Sequence, residues 1–150
     1  MTEHYVTLFD SGFLANGLAL HRSIRRHAPE SVLWVLCTDH AAKSVLDALA
    51  LPGLRTVALD DVLTPALAEV REIRTRAEFS WTLAAFTPDV VFAREPSARW
   101  ATYIDADMWL AASPAPIHDE LRASGASVLI TEHAYAPEFE QSLAYGIYCV

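Results

Sequence analysis

The stretch Trp100-Ala-Thr-Tyr-Ile-Asp-Ala-Asp-Met-Trp-Leu110 sets two carboxylates, Asp105 and Asp107, one residue apart within apolar flanks. Carboxylates buried in such surroundings without a partner are costly, so a positive group is expected to neutralise them. Hard oxygen donors suit Mg²⁺ or Mn²⁺. A cation held there could bridge to the oxygens of a nucleotide diphosphate. Residues two apart on a continuing strand point to the same side, so both carboxylates could grip one ion. Ala106 between them is small enough to let a ligand approach the backbone. The competing reading is an Asp-rich turn with both carboxylates in water. Met108, Trp109 and Leu110, which follow at once, argue against it.

Other chemistries lack their residues. Phosphatases of the haloacid-dehalogenase type carry Asp-X-Asp-X-Thr/Val near the start of their domain. Here the fifth position is Trp109, and the pair lies late in the chain. No Gly-X-Gly-X-X-Gly follows the first apolar run and no Gly-Lys-Ser/Thr occurs, so neither a dinucleotide fingerprint nor a P-loop is present. The six histidines include no His-X-X-X-His pair and no zinc spacing. Ser113 and Ser124 lack the context of a nucleophile elbow.

The chain has 150 residues, the size of one ordinary domain, and is 53% hydrophobic and 20% charged, a globular composition. Its formal net charge of −8, from 11 basic and 19 acidic residues, excludes a broad basic face for nucleic acid. It leaves room for an anionic substrate if a cation is recruited locally. Cys37 and Cys149 sit in apolar runs and read as buried free thiols. A reduced, cytoplasmic setting is therefore expected, with the inner membrane surface as a further option. The polar start, Met1-Thr-Glu-His4, does not read as a signal peptide, and no apolar run approaches the roughly 20 residues that span a membrane.

Around the acidic pair, strands and helices alternate. Strands are expected at 5–9, 32–37 and 54–59, then a fourth through the Asp105–Asp107 region, a fifth at 126–131 and a last one from 146. Helices are expected at 13–27, 40–50, 64–76, 79–86, 87–94, 117–124 and 138–145. Ser11 is a candidate cap for the first and Thr38-Asp39 for the second. Pro65 opens the third, and Gly125 ends the sixth. Such alternation predicts an α/β fold with a largely parallel sheet. Asp10, Asp39 and Asp60-Asp61 follow successive strands, at the edge where α/β sheets place ligands. The last apolar run, Gly146-Ile-Tyr-Cys-Val150, reads as a strand without a sequel. A single domain over 1–150 is thus expected to be the N-terminal part of a longer catalytic domain.

With these pieces in order, the chain resembles the GT-A nucleotide-sugar glycosyltransferases, in particular the family-8-like group of glycogenin and bacterial galactosyltransferases. The likeness runs through Val6-Thr-Leu-Phe-Asp10, Leu14, Leu18 and Ser23, Phe79-Ser-Trp-Thr82, Tyr103-Ile-Asp-Ala-Asp-Met-Trp109 and Gly146-Ile-Tyr-Cys-Val150. It implies a Rossmann-like GT-A sheet, mostly parallel, with helices on both faces. It implies transfer of a sugar, with retention, from a nucleotide-diphosphate donor, UDP-sugar first, to a hydroxyl of a glycan, lipid or protein. Thr7, Phe9 and Asp10 would line the base and ribose pocket. Asp105 and Asp107 would bind Mn²⁺ or Mg²⁺, with Asp105 also near the ribose and Ala106 against the ligand. Trp81 and Thr82 would face the donor sugar, and Glu132 and His133 the sugar or acceptor. No catalytic base is implied.

The family takes a third metal ligand from a His-X-X-Gly-X-X-Lys-Pro-Trp-like segment, and nothing in this sequence matches it. A non-catalytic nucleotide-sugar-binding module, completed by a partner or a further segment, is therefore the alternative. A nucleotidylyltransferase would open with a Gly-rich basic loop after the first strand, which Asp10-Ser-Gly-Phe13 is not. The charged run Arg71-Glu-Ile-Arg-Thr-Arg76 reads as a solvated helix face, with phosphate binding as its second reading.

Overall fold

The structure is a computed structural model that describes residues 2–132, 136–138 and 148–149. It divides into two compact units, Met1–Ser113 and Pro114–Val150.

The first unit is built on four parallel strands: β1 (His4–Phe9), β2 (Val32–Cys37), β3 (Leu54–Ala58) and β4 (Thr102–Tyr103), in the order β3-β2-β1-β4. Its helices are α1 (Leu14–His27), α2 (His40–Leu49), α3 (Pro65–Ile73), α4 (Arg76–Ala84) and α5 (Thr87–Arg94). The expected α/β fold, with a parallel sheet and helices on both faces, is what the chain adopts. The apolar runs are continuous because strand side chains alternate between two covered faces. Tyr5, Phe9, Leu33, Val35 and Cys37 pack with Leu20 and Ile24 of α1 and Ala42 and Leu46 of α2. Val6, Trp34, Leu36 and Val57 pack with Leu67 of α3, Phe79 and Leu83 of α4, and Val90 and Val91 of α5.

Local chemistry sets the helix boundaries. Asp39 caps α2 by accepting the Ala42 amide at 2.7 Å, and Thr64 caps α3 by accepting that of Leu67 at 3.2 Å. The cap expected of Ser11 is supplied by Asp10 instead. Its Oδ1 accepts the Gly12 amide at 2.7 Å and starts a 3-10 turn, Ser11–Phe13, that leads into α1. The helix expected over 64–76 breaks in two. Arg74 is extended (φ −108°, ψ 149°), and Thr75 and Glu78 form a reciprocal capping box that opens α4. The fourth strand is also shorter than expected, because the backbone turns at Asp105 and does not run on.

Gly17 of α1 has a steric reason to be glycine. A Cβ there would overlap the ring of Phe9, which is buried against the helix. Valine is barely better than glycine as a helix former. Gly17→Val is therefore expected to destabilise by about 1–3 kcal/mol, the usual cost of overpacking. Urea denaturation reads this directly, and an unchanged midpoint would mean that Phe9 is not seated on α1.

The second unit contains α6 (Ala115–Ser124) and an antiparallel pair, β5 (Thr131–Glu132) with β6 (Tyr148–Cys149). Gly125, left-handed at φ 69°, ends α6 as expected. The fifth strand, expected over 126–131, is confined to Thr131–Glu132, and it belongs to this separate two-stranded sheet. Residues 139–145 of the helix expected over 138–145, and residues 146, 147 and 150 of the strand expected from 146, lie outside the described residues.

Candidate functional site

The strand order reverses at β1. Two short crossovers carry the chain from β1 through α1 and α2 to β3, and the long crossover through α3–α5 returns it to β4 on the far side of β1. Because parallel crossovers are right-handed, the reversal puts the two helix layers on opposite faces. It leaves a crevice between the C-terminal ends of β1 and β4, where open α/β sheets bind ligands. Asp10 stands at one lip, and Asp105 to Asp107 at the other.

At the first lip, one Asp10 oxygen holds the Gly12 amide and the other accepts from Arg76, the first residue of α4. The Arg76 side chain is 75% exposed and that of Asp10 17%. With the arginine largely in water, such a pair contributes on the order of 1 kcal/mol. The sequence places Arg76 in a charged run that reads first as a solvated helix face and only second as a phosphate site, and does not pair it with Asp10. The visible signal was Thr75-X-X-Glu78, which starts a helix at Arg76 and brings its side chain to the sheet edge.

Asp39, at the end of β2, accepts the Ser11 hydroxyl at 2.7 Å, the Ser11 amide at 3.0 Å and the Ala42 amide. These bonds, the Ser11 hydroxyl first and the Ala42 amide next, hold its carboxyl below the usual aspartate range. A carboxyl depressed in the folded state stabilises above its unfolded pKa, about 3.9, and that contribution is lost as pH falls through the folded value. Ser11→Ala should therefore raise the Asp39 pKa toward the unfolded value. An NMR titration of the Asp39 carboxyl checks this, and an unshifted midpoint would show that the Ser11 hydroxyl does not set it.

At the second lip, Ile104 N–H donates to Val6 O at 3.0 Å, one bond beyond the end of β4. Met108 N–H then donates to Asp105 O at 3.1 Å and closes a turn. Ala106, 7% exposed, packs into the core on the α1 side, while Asp105 and Asp107 are exposed. Three expectations need correction. The carboxylates sit on a turn rather than a continuing strand. They are solvated, so burial cost is not what demands a cation, and Met108 and Trp109 beside them are 52% and 47% exposed. The Ala106 side chain faces the core rather than a ligand, so its smallness serves packing.

The Tyr103 hydroxyl donates to Asp105 Oδ1 at 2.7 Å, which restrains a carboxylate that is otherwise exposed. Two exposed carboxylates are hard oxygen donors and fit Mg²⁺ or Mn²⁺ by type. Among the described residues no group of three or more His, Cys, Asp or Glu is gathered closely enough to hold a metal ion. The pair is thus a partial donor set.

The remaining candidates are dispersed. Thr7 is fully buried in β1, and its hydroxyl has no hydrogen-bond partner among the described residues. Phe9 is buried on the same face. Trp81 is 73% exposed. With Arg74, Glu78 and Thr82 it lines an open depression of about 450 Å³, in which Arg74 donates to the Thr82 hydroxyl. At about 100° per residue, Trp81 lies roughly 140° around α4 from Arg76, so this depression and the Asp10 contact occupy different sides of the helix. Glu132 is in β5 of the second unit, and His133 lies outside the described residues. Cys37 is a buried free thiol, pushed up to about 11 by burial, as its apolar run suggested.

No family model matches the chain. Among curated proteins it is similar to two uncharacterized proteins of Bacillus subtilis (strain 168). YfnF is 29% identical over 142 residues, which cover 94% of this chain and 46% of that protein. YfnD is 26% identical over 138 residues, which cover 92% and 44%. The chain therefore spans less than half the length of these relatives. Among solved structures it is similar to the apo structure of the bifunctional glycosyltransferase WbbM, at 25% identity and a TM-score of 0.48, over 79% of this chain and 21% of that one. Among the described residues no helix is long and apolar enough to cross a membrane.

Proposed function

We propose that the chain carries the donor-binding part of a metal-dependent glycosyltransferase that moves a sugar, with retention, from a nucleotide diphosphate to an acceptor hydroxyl. One observation supports the reading: Asp10 follows β1 and the Asp105–Asp107 turn follows β4, the neighbouring strand, where the strand order reverses. Asp105 and Asp107 would hold Mn²⁺ or Mg²⁺, which when bound supplies positive charge to a departing diphosphate. Tyr103 presents Asp105 in one orientation. Arg76, released from Asp10, offers a second positive group to the diphosphate, and a freed Asp10 oxygen can accept from a ribose hydroxyl. UDP-sugar is the donor to try first, with a glycan, lipid or protein as acceptor.

The partial donor set favours a second reading, a binding module that awaits ligands from elsewhere. Calorimetry of a UDP-sugar with and without Mn²⁺, paired with an assay for UDP release, separates the two. Metal-dependent binding with release supports a transferase. Binding without release supports the module. A folded sample that binds no nucleotide sugar overturns both.

A further inference from the structure

A buried hydroxyl ties the chain that leaves the acidic turn to α1. Leu110 N–H donates to Ser23 Oγ at 3.1 Å across 87 residues of sequence, and Ser23 Oγ donates to Leu20 O at 2.8 Å. Ser23 is fully buried. Serine inside a helix often bonds back to a carbonyl of the preceding turn. In doing so here it spends its one proton on α1 and presents its lone pairs to the incoming amide. The carbonyl bond thus orients the hydroxyl as an acceptor.

The rest of the turn is held mainly by backbone and packing. Ile104 N–H is fixed on β1, Met108 N–H closes the turn on Asp105 O, and Ile104, Ala106 and Leu110 pack on the α1-side core. Asp105 also has the Tyr103 hydroxyl. Asp107 lies inside that turn, between Asp105 and Met108, and the Ser23 bond to the Leu110 amide is the first fixed point after the turn closes. We propose that Ser23 is a positioning residue that holds the end of the turn so that Asp107 shares a cation with Asp105. This rests on the cation reading of the acidic pair.

The test is Mn²⁺ binding to the full chain, followed by the loss of the free-ion electron paramagnetic resonance signal, for the wild type, Asp107→Asn, Ser23→Ala and Ser23→Thr. Alanine is the better helix former, so Ser23→Ala keeps α1, and circular dichroism and the thermal midpoint are recorded alongside. Removing a group bonded directly to a metal ligand weakens affinity by about 10–100-fold, and Ser23 acts one step further out, through Leu110, so the lower end of that range applies. The expected result is a loss of at least about tenfold in Ser23→Ala, with the helical signal intact, and recovery toward the wild type in Ser23→Thr. A Ser23→Ala variant that binds Mn²⁺ as the wild type does, while Asp107→Asn does not, overturns the positioning role and leaves the site standing. A wild-type chain that binds no Mn²⁺ overturns the cation reading and this role with it.

Discussion

Replacing Asp107 with asparagine is expected to weaken Mn²⁺-dependent binding of a nucleotide diphosphate by about a hundredfold or more. Groups that merely orient a metal ligand are worth about 10–100-fold, and a direct ligand should be worth no less. The pair offers two protein carboxylates, so removing one halves the anionic donor set. Asp107 is exposed, and surface substitutions of this kind usually change stability by no more than about 0.5 kcal/mol. Loss of binding should therefore come without loss of fold. Calorimetry with UDP and Mn²⁺, together with a thermal melt, reads both. Equal affinity in the variant would remove Asp107 from the site.

The second large effect concerns α4. Leu83→Ala should destabilise the chain by about 2–5 kcal/mol, the range for a buried leucine. Leu83 is 1% exposed and packs with Val6, Trp34 and Leu36 on the sheet. Domains are stable by only about 5–15 kcal/mol, so this one change removes a large share. Trp81→Ala, two residues earlier, should stay within about 0.5 kcal/mol, because that side chain is 73% exposed. Urea denaturation of both variants fixes the rotation of α4. A large effect at Trp81 with a small one at Leu83 would mean that the helix shows its other side to the sheet.

That rotation marks the limit of what α4 disclosed as a sequence. Phe79-Ser-Trp-Thr-Leu-Ala-Ala-Phe86 is apolar nearly all round, so periodicity could not choose between Trp81 and Leu83. The strands were easier. Val32 to Cys37 is uninterrupted because both sides of β2 are covered, and the acidic residues after β1 and β2 mark the ligand edge of the sheet. Asp105-Ala-Asp107 stood out as a motif, but its local shape did not. Apolar neighbours look alike on a strand and on a turn, and only the Met108 amide on Asp105 O distinguishes them. Ser23 and Arg76 act through contacts that span the fold, which no local pattern encodes, whereas Tyr103 reaches Asp105 only two residues on. Ser11 and Asp10 are adjacent potential caps, and the choice between them is made by Asp39, which engages the Ser11 hydroxyl.

The central claim is that a cation and a diphosphate meet at the crevice between β1 and β4. Paramagnetic broadening by Mn²⁺ in the presence of UDP, followed amide by amide, tests it most directly. Broadening should appear first at Ile104 to Met108 and at Asp10 to Gly12, and it should vanish in Asp107→Asn. Broadening centred instead on Asp60 and Asp61 beyond β3, or on Asp47 of α2, would contradict the account.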